Sequence, residues 1–167
     1  MVTYPTIYLF YMSMFDWNPA KVSFAGIQNY IRALTDPRFY TSIQVSIFVT
    51  VVALILEFVV GLGLALIMQQ DFRGRKILTT LILIPMMIAP VVVGFNFRMI
   101  FNAEFGPMNQ ILSLLAGRSI DILWLSDPKY AIWSIIIADF WQWMPFVFVV
   151  FFSWLLSVPR TPYESAM

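Results

Sequence analysis

The chain has 167 residues, 60% of them hydrophobic and 11% charged, with a formal net charge of +1. Soluble domains of this size carry about 25% charged residues, so a water-facing surface is excluded for most of the chain and an integral membrane protein is indicated. The near-neutral balance gives no basis for nucleic-acid binding, and the lack of cysteine and histidine excludes disulfides, thiol chemistry, histidine general bases and the commonest neutral metal ligand.

The apolar residues come in long blocks, which suits spanning helices rather than the alternation of an outer-membrane barrel. A spanning helix needs roughly 20 mainly apolar residues. The opening apolar segment, residues 4–15, lacks the basic flank and small-residue cleavage site of a secretory signal. Residues 1–15 are too short to span alone and read as the end of a truncated helix that starts upstream. Residues 16–41 contain the turn formers Asn18-Pro19, Gly26 and Asp36-Pro37. Between them Ile27, Tyr30, Ile31 and Leu34 recur at helical spacing, which predicts a short amphipathic helix lying on the membrane surface.

Residues 43–68 qualify as a span with Glu57 as their only charge. The loop 69–76 holds Arg73, Arg75 and Lys76, and residues 77 to about 100 form the next span, with Arg98 near its end. Residues 101–129 carry turns at Gly106-Pro107 and Asp127-Pro128, with a short helix predicted over 109–115. Residues 131 to about 158 make the last span, with Asp139 as the only charge. The count is four spans, the first incomplete, with no internal repeat, low-complexity tract or interdomain linker.

Orientation follows from the Lys/Arg bias of short loops. The loop 69–76 packs three basic residues into eight positions, and Arg160 lies on the same side. The other two loops spread Lys21, Arg32, Arg38, Arg118 and Lys129 over about fifty residues. Density places 69–76 and the C-terminal tail in the cytoplasm and the two longer loops outside.

Two carboxylates stand alone in apolar helices. A charge at the bilayer centre costs about 2.5 to 3.5 kcal/mol on insertion scales, so each should face other helices or a water-filled path. Glu57 reads either as a substrate or proton site or as an interhelical hydrogen-bonding group. Asp139 lies beside Trp141, Gln142 and Trp143. Aromatic faces with amide and carboxylate acceptors are how proteins hold sugars, while the same residue types also build interfacial aromatic belts. Pro145 should kink this span. Pro85 and Pro90 break the middle of the preceding one, and Gly94 and Asn96 follow on that stretch. Irregular helices of this kind line pathways in transporters, with simple packing as the other reading. Gly61, Gly63 and Ala65 form a small-residue patch suited to close helix contact, and Met86 and Met87 suit adaptable packing better than metal binding. The chain shows no nucleotide-binding loop, catalytic triad, metal-ligand spacing or haem ligand pair. Any ATP dependence would therefore come from a partner, and no cofactor is called for.

With these residues in view, the chain resembles the permease subunits of type I binding-protein-dependent ABC importers, in the carbohydrate branch of maltose- and glycerol-phosphate-like permeases. Phe24-Ala-Gly-Ile-Gln-Asn-Tyr30 resembles the outer-face motif after the first helix. Gly61 to Ala65 with Arg73-Gly-Arg75 resembles the helix end and its basic cytoplasmic turn. Ile84-Pro85 with Ala89-Pro90 resembles the proline pair of the next helix, and Phe105-Gly106-Pro107-Met108-Asn109 the outer loop motif. Trp124-Leu-Ser-Asp-Pro128 and Trp141-Gln-Trp-Met-Pro-Phe146 are similar to the segments flanking the following helix. After the proline-containing stretch from Ser157, residues Tyr163, Glu164, Ser165 and Ala166 resemble the start of the ATPase-coupling loop, with Ser165 in place of the first alanine.

The resemblance implies an all-α polytopic membrane bundle, residues 1–167 being a fragment with about four of the six helices of one transmembrane domain. The rest of the coupling loop, an Asp-Gly-Ala element and two further spans are expected beyond Met167. It implies a multi-pass protein of the inner or plasma membrane that is not itself an enzyme. Its partners would be separate ABC ATPase subunits, a second permease subunit, an extracytoplasmic solute-binding protein, membrane lipid and a sugar or sugar derivative. Asp139, Trp141, Gln142, Trp143, Glu57 and Asn96 are the substrate-path candidates. The alternative is a fragment of an ion-coupled secondary transporter, with Glu57 or Asp139 as the coupling carboxylate. A membrane scaffold without transport is the third reading.

Overall fold

The computed structural model describes residues 2–18 and 21–157. The coupling-loop candidates Tyr163, Glu164, Ser165 and Ala166 lie outside the described residues. The chain divides into two compact units, residues 1–47 and 48–167.

In the first unit, helix α1 (Thr3–Ser13) leads into a hairpin of β1 (Phe15–Asn18) and β2 (Lys21–Phe24). The strands pair antiparallel, with Phe15 opposite Phe24 and Asp16 opposite Ser23. The sequence predicts loop here, because strands of four residues are too short to display a period. Gly26 (φ 55°) supplies the left-handed turn after β2, and its amide and that of Ala25 both donate to the Met14 carbonyl. Helix α2 (Gln28–Thr35) is the expected amphipathic helix. Its Asn29 amide donates to the carbonyls of Ser13 and Phe15, each at 3.0 Å, and Arg32 pairs with Asp16 at 3.2 Å. Ile27, Tyr30, Ile31 and Leu34 remain exposed.

Helix α3 (Pro37–Met68) has 32 residues, about 48 Å at the usual rise per residue, against a hydrocarbon core of roughly 30 Å. It begins at Pro37, earlier than the hydrophobic run alone predicts. Pro37 pre-sets the first helical turn, and the Asp36 carboxylate accepts the Arg38 amide at 2.9 Å. Helix α7 (Pro128–Ser157) starts the same way: Asp127 accepts the Lys129 amide at 2.9 Å. It then runs as one helix through Pro145.

Between these two lies the interrupted segment. Helix α4 (Arg75–Leu83) gives way to a 3-10 turn (Pro85–Met87) and then to α5 (Pro90–Ile100). The two halves meet at 95°, so the prolines break this span where the sequence reading expected. Among the described residues α3 and α7 are long and apolar enough to cross a membrane, and the bent pair passes the same test if its halves act together. Helix α1, with 11 residues, is too short to be a fourth by itself.

The second unit is closed at one end by packing of α3, α4 and α7. Ala65 and Phe148 are fully buried there, with Met68, Ile82 and Phe152 around them. Ala53, Glu57, Gly61, Ala65 and Met68 form the buried stripe of α3, recurring at nearly every fourth residue as one helix face requires. A Cβ on Gly61 would stand 3.1 Å from the Phe148 amide nitrogen, whereas one on Gly63 would meet nothing within 4 Å among the described residues. The small-residue patch is thus a contact at Gly61 and Ala65, with Gly63 outside it.

The opposite end is held by polar bonds. Helix α6 (Pro107–Ala116) buries Asn109. The Asn109 side-chain oxygen accepts the Trp124 indole N–H at 2.8 Å, and its NH2 donates to the Ile122 carbonyl at 3.1 Å. Phe101 packs on Trp124, ring centres 5.4 Å apart. Gly106 admits no side chain, because a Cβ would run into the carbonyls of Ile100 and Asn102. The Phe-Gly-Pro-Met-Asn motif is therefore a turn and a buried clasp.

Candidate functional site: a cavity at the broken helix

A helix interrupted inside a membrane leaves carbonyls without intrahelical partners, which neighbouring groups must satisfy. The Ile88 carbonyl lies in this break, and the Gln142 side chain on α7 donates to it at 3.1 Å. That bond ties α7 to the gap between the 3-10 turn and α5. Beside it, α5 and α7 border an open cavity of about 440 Å³. Helix α7 contributes Ser134, Asp139 and Gln142 to the wall, and α5 contributes Gly94, Phe97 and Arg98. The Ser134 hydroxyl is already committed to the Trp124 and Tyr130 carbonyls, each at 3.1 Å. The side chains of Asp139 and Arg98 make no ion pair among the described residues.

A second cavity, of about 490 Å³, lies on the other side of Phe97 and includes Asn96, Phe105, Pro107 and Trp141. Phe97 borders both, with Trp141 edge-on to its ring at 5.6 Å between centres. The structure thus distributes the sequence-derived candidates rather than gathering them. Asp139 and Gln142 share the first cavity and Asn96 and Trp141 the second, while Trp143 lines neither of these two and is exposed. The run Trp141-Gln-Trp143 looks like one cluster in sequence. On a helix successive residues turn by about 100°, so Gln142 points to the break, Trp141 to the Phe97 side of the second cavity and Trp143 away from both.

Glu57 is only 5% exposed. It lines neither of these cavities. No described residue hydrogen-bonds its carboxylate, so the interhelical hydrogen bond expected as one of its two roles is not formed within the described residues. Arg98 is the lining residue that the candidate set missed. Its signal was present, as the sole cation of an otherwise apolar span. Together the first cavity offers a carboxylate, a guanidinium and an aromatic face. Groups of these kinds can hold a solute with several hydrogen-bonding groups and an apolar ring face.

Residues 57–167 match the family described as the binding-protein-dependent transport system inner membrane component. The trehalose/maltose transport system permease protein MalF of Thermococcus litoralis is 32% identical over 86% of this chain and 48% of its own length. The arabinooligosaccharides transport system permease protein AraP of Bacillus subtilis is 32% identical over 98% of this chain and 52% of its own. Among solved structures, a bacterial alginate ABC transporter in complex with an alginate pentasaccharide-bound periplasmic protein superposes with a TM-score of 0.74 at 22% identity. That superposition covers 84% of this chain and 49% of the other and establishes a shared fold. The chain therefore spans about half the length of the relatives it matches. The match over most of its length places the chain in the family of binding-protein-dependent transport system inner membrane components.

Proposed function

We propose that the chain is the greater part of a transmembrane domain in the permease subunit of an ATP-driven importer, and that it carries a sugar or sugar derivative across the inner or plasma membrane. In this reading residues 1–167 supply about four of six helices of that domain. Residues 163–166 open the loop that engages the ATPase. Hydrolysis belongs to separate ATPase subunits, a second permease subunit completes the path, and an extracytoplasmic binding protein delivers the solute. The observation that carries the reading is the interrupted span with a cavity against α7, lined by Asp139 and Arg98. In transporters, solutes bind near the midplane where helices are discontinuous. Oligosaccharide permeases among the relatives favour a sugar as cargo.

Asp139 is the primary solute contact in this reading, with Trp141 and Asn96 in the adjoining cavity. Gln142 maintains the broken helix. Trp143 faces a neighbouring helix or lipid, and Glu57 is a second buried carboxylate of the path on α3. The test is uptake of labelled oligosaccharides into vesicles containing the full-length permease, its ATPase and its binding protein. Uptake should require ATP and survive collapse of the proton and sodium gradients, and Asp139→Ala should reduce it at least ten-fold, the worth of about 1.4 kcal/mol. Uptake that persists without ATP and stops with the gradients would favour the ion-coupled alternative.

A further inference from the structure

A third cavity, of about 830 Å³, opens between the start of α4 and the last turns of α7. Its polar rim is Asp71, Arg75 and Lys76, and its apolar wall includes Ile77, Phe152 and Leu156. Gly74, in the left-handed region at φ 94°, turns the chain sharply between Arg73 and Arg75. Arg75 pairs with Asp71 and stands 5.2 Å from the centre of the Phe152 ring, which fixes its guanidinium at the cavity. Arg73 and Lys76 have no ion pair among the described residues. The hydroxyls of Thr79 and Thr80 donate to the carbonyls of Arg75 and Lys76, so they secure the helix, and Lys76 is the rim cation without an ion pair among the described residues. The rim is thus net basic, and it adjoins exposed Ile77 and Leu156 where an apolar helix emerges from a basic loop.

We propose that this cavity seats the headgroup of an anionic phospholipid of the cytoplasmic leaflet. Lys76 on the rim meets the phosphate, Arg73 adds positive charge from the adjoining loop outside the lining, and Ile77 and Leu156 lie along the acyl chains. The physics is that of basic recesses at the membrane surface, where anionic headgroups gain from each nearby cation. A neutral lipid would forgo the charge, and a free phosphate would leave the apolar wall uncovered. The proposal rests on the sidedness read from the basic loop and is independent of which solute is carried.

The test uses the full-length protein in nanodiscs of phosphatidylcholine doped with phosphatidylglycerol, with retained lipid read by native mass spectrometry. Phosphatidylglycerol should be retained in preference, and Lys76→Gln and Arg73→Gln should each lower its retention about five-fold. Arg38→Gln, in the other unit, should leave it unchanged. Equal retention of both lipids would overturn the proposal, as would unaltered retention in the Lys76 and Arg73 variants. An equal loss in Arg38→Gln would reduce the effect to diffuse charge, and displacement by millimolar inorganic phosphate would make this a free-anion site; either defeats it. Retention needs no transport, so failed uptake with intact lipid selectivity would count against the permease reading alone.

Discussion

Gln142 reaches from α7 to the carbonyl of Ile88, an acceptor left bare by the helix break. Gln142→Ala should destabilise the protein by about 1 to 3 kcal/mol, since a buried carbonyl then loses its donor. Gln142→Glu should do at least as much harm, because a carboxylate offers no N–H. Thermal unfolding in detergent checks both. Asn109 is the same kind of residue at the other end of the bundle, joined to Trp124 and Ile122. Asn109→Ala should cost about 3 kcal/mol by leaving an indole N–H and a carbonyl unpaired, and it should appear as a red-shifted tryptophan emission. Neither role was legible beforehand. A buried amide and a solute-binding amide look identical in one dimension, and only the partner across the fold separates them. That Asp139 and Glu57 are buried or cavity-lining rather than lipid-facing was legible, because an isolated carboxylate in an apolar run stands out against the expense of placing charge in a membrane.

The helices carry their start signals openly. Asp36-Pro37 and Asp127-Pro128 pair a capping carboxylate with a proline at the first helical position. Read only as turn formers, they place α3 and α7 a few residues too late. Asp127→Ala should cost about 1 kcal/mol through loss of the cap, measurable as a lowered melting temperature with unchanged helical content. The hairpin Phe15–Asn18 with Lys21–Phe24 stayed hidden because its strands are set by pairing with each other rather than by any pattern within them. The proline-broken span was legible, since Pro85 and Pro90 remove helix donors in any context; its 95° angle was not, being fixed by what α7 packs against it. Contact between α3 and α7 yields a sharper comparison. Gly61→Leu should force the helices apart at Phe148 and unfold the bundle well below the wild-type temperature. Gly63→Ala should be neutral or gain up to about 1 kcal/mol from helix propensity.

Across the molecule, the basic loop before α4 and the clasp around Asn109 belong on opposite sides of a membrane if α7 crosses it. A cysteine-free chain makes this simple to examine. Arg73→Cys should react with an impermeant maleimide only in inside-out vesicles, and Lys129→Cys only in right-side-out ones; the reverse pattern would invert the orientation read from loop charge. Composition alone revealed the membrane character and the helical class, because both follow from how apolar residues are grouped. It could not reveal which apolar faces meet one another, since lipid and protein interiors select the same side chains. That ambiguity leaves a trace at the two glycines of α3. Position 61 is held by the backbone of another helix and position 63 by nothing within reach. Over generations of descendants the first should stay fixed while the second wanders among small and larger residues, two neighbours in one chain keeping very different histories.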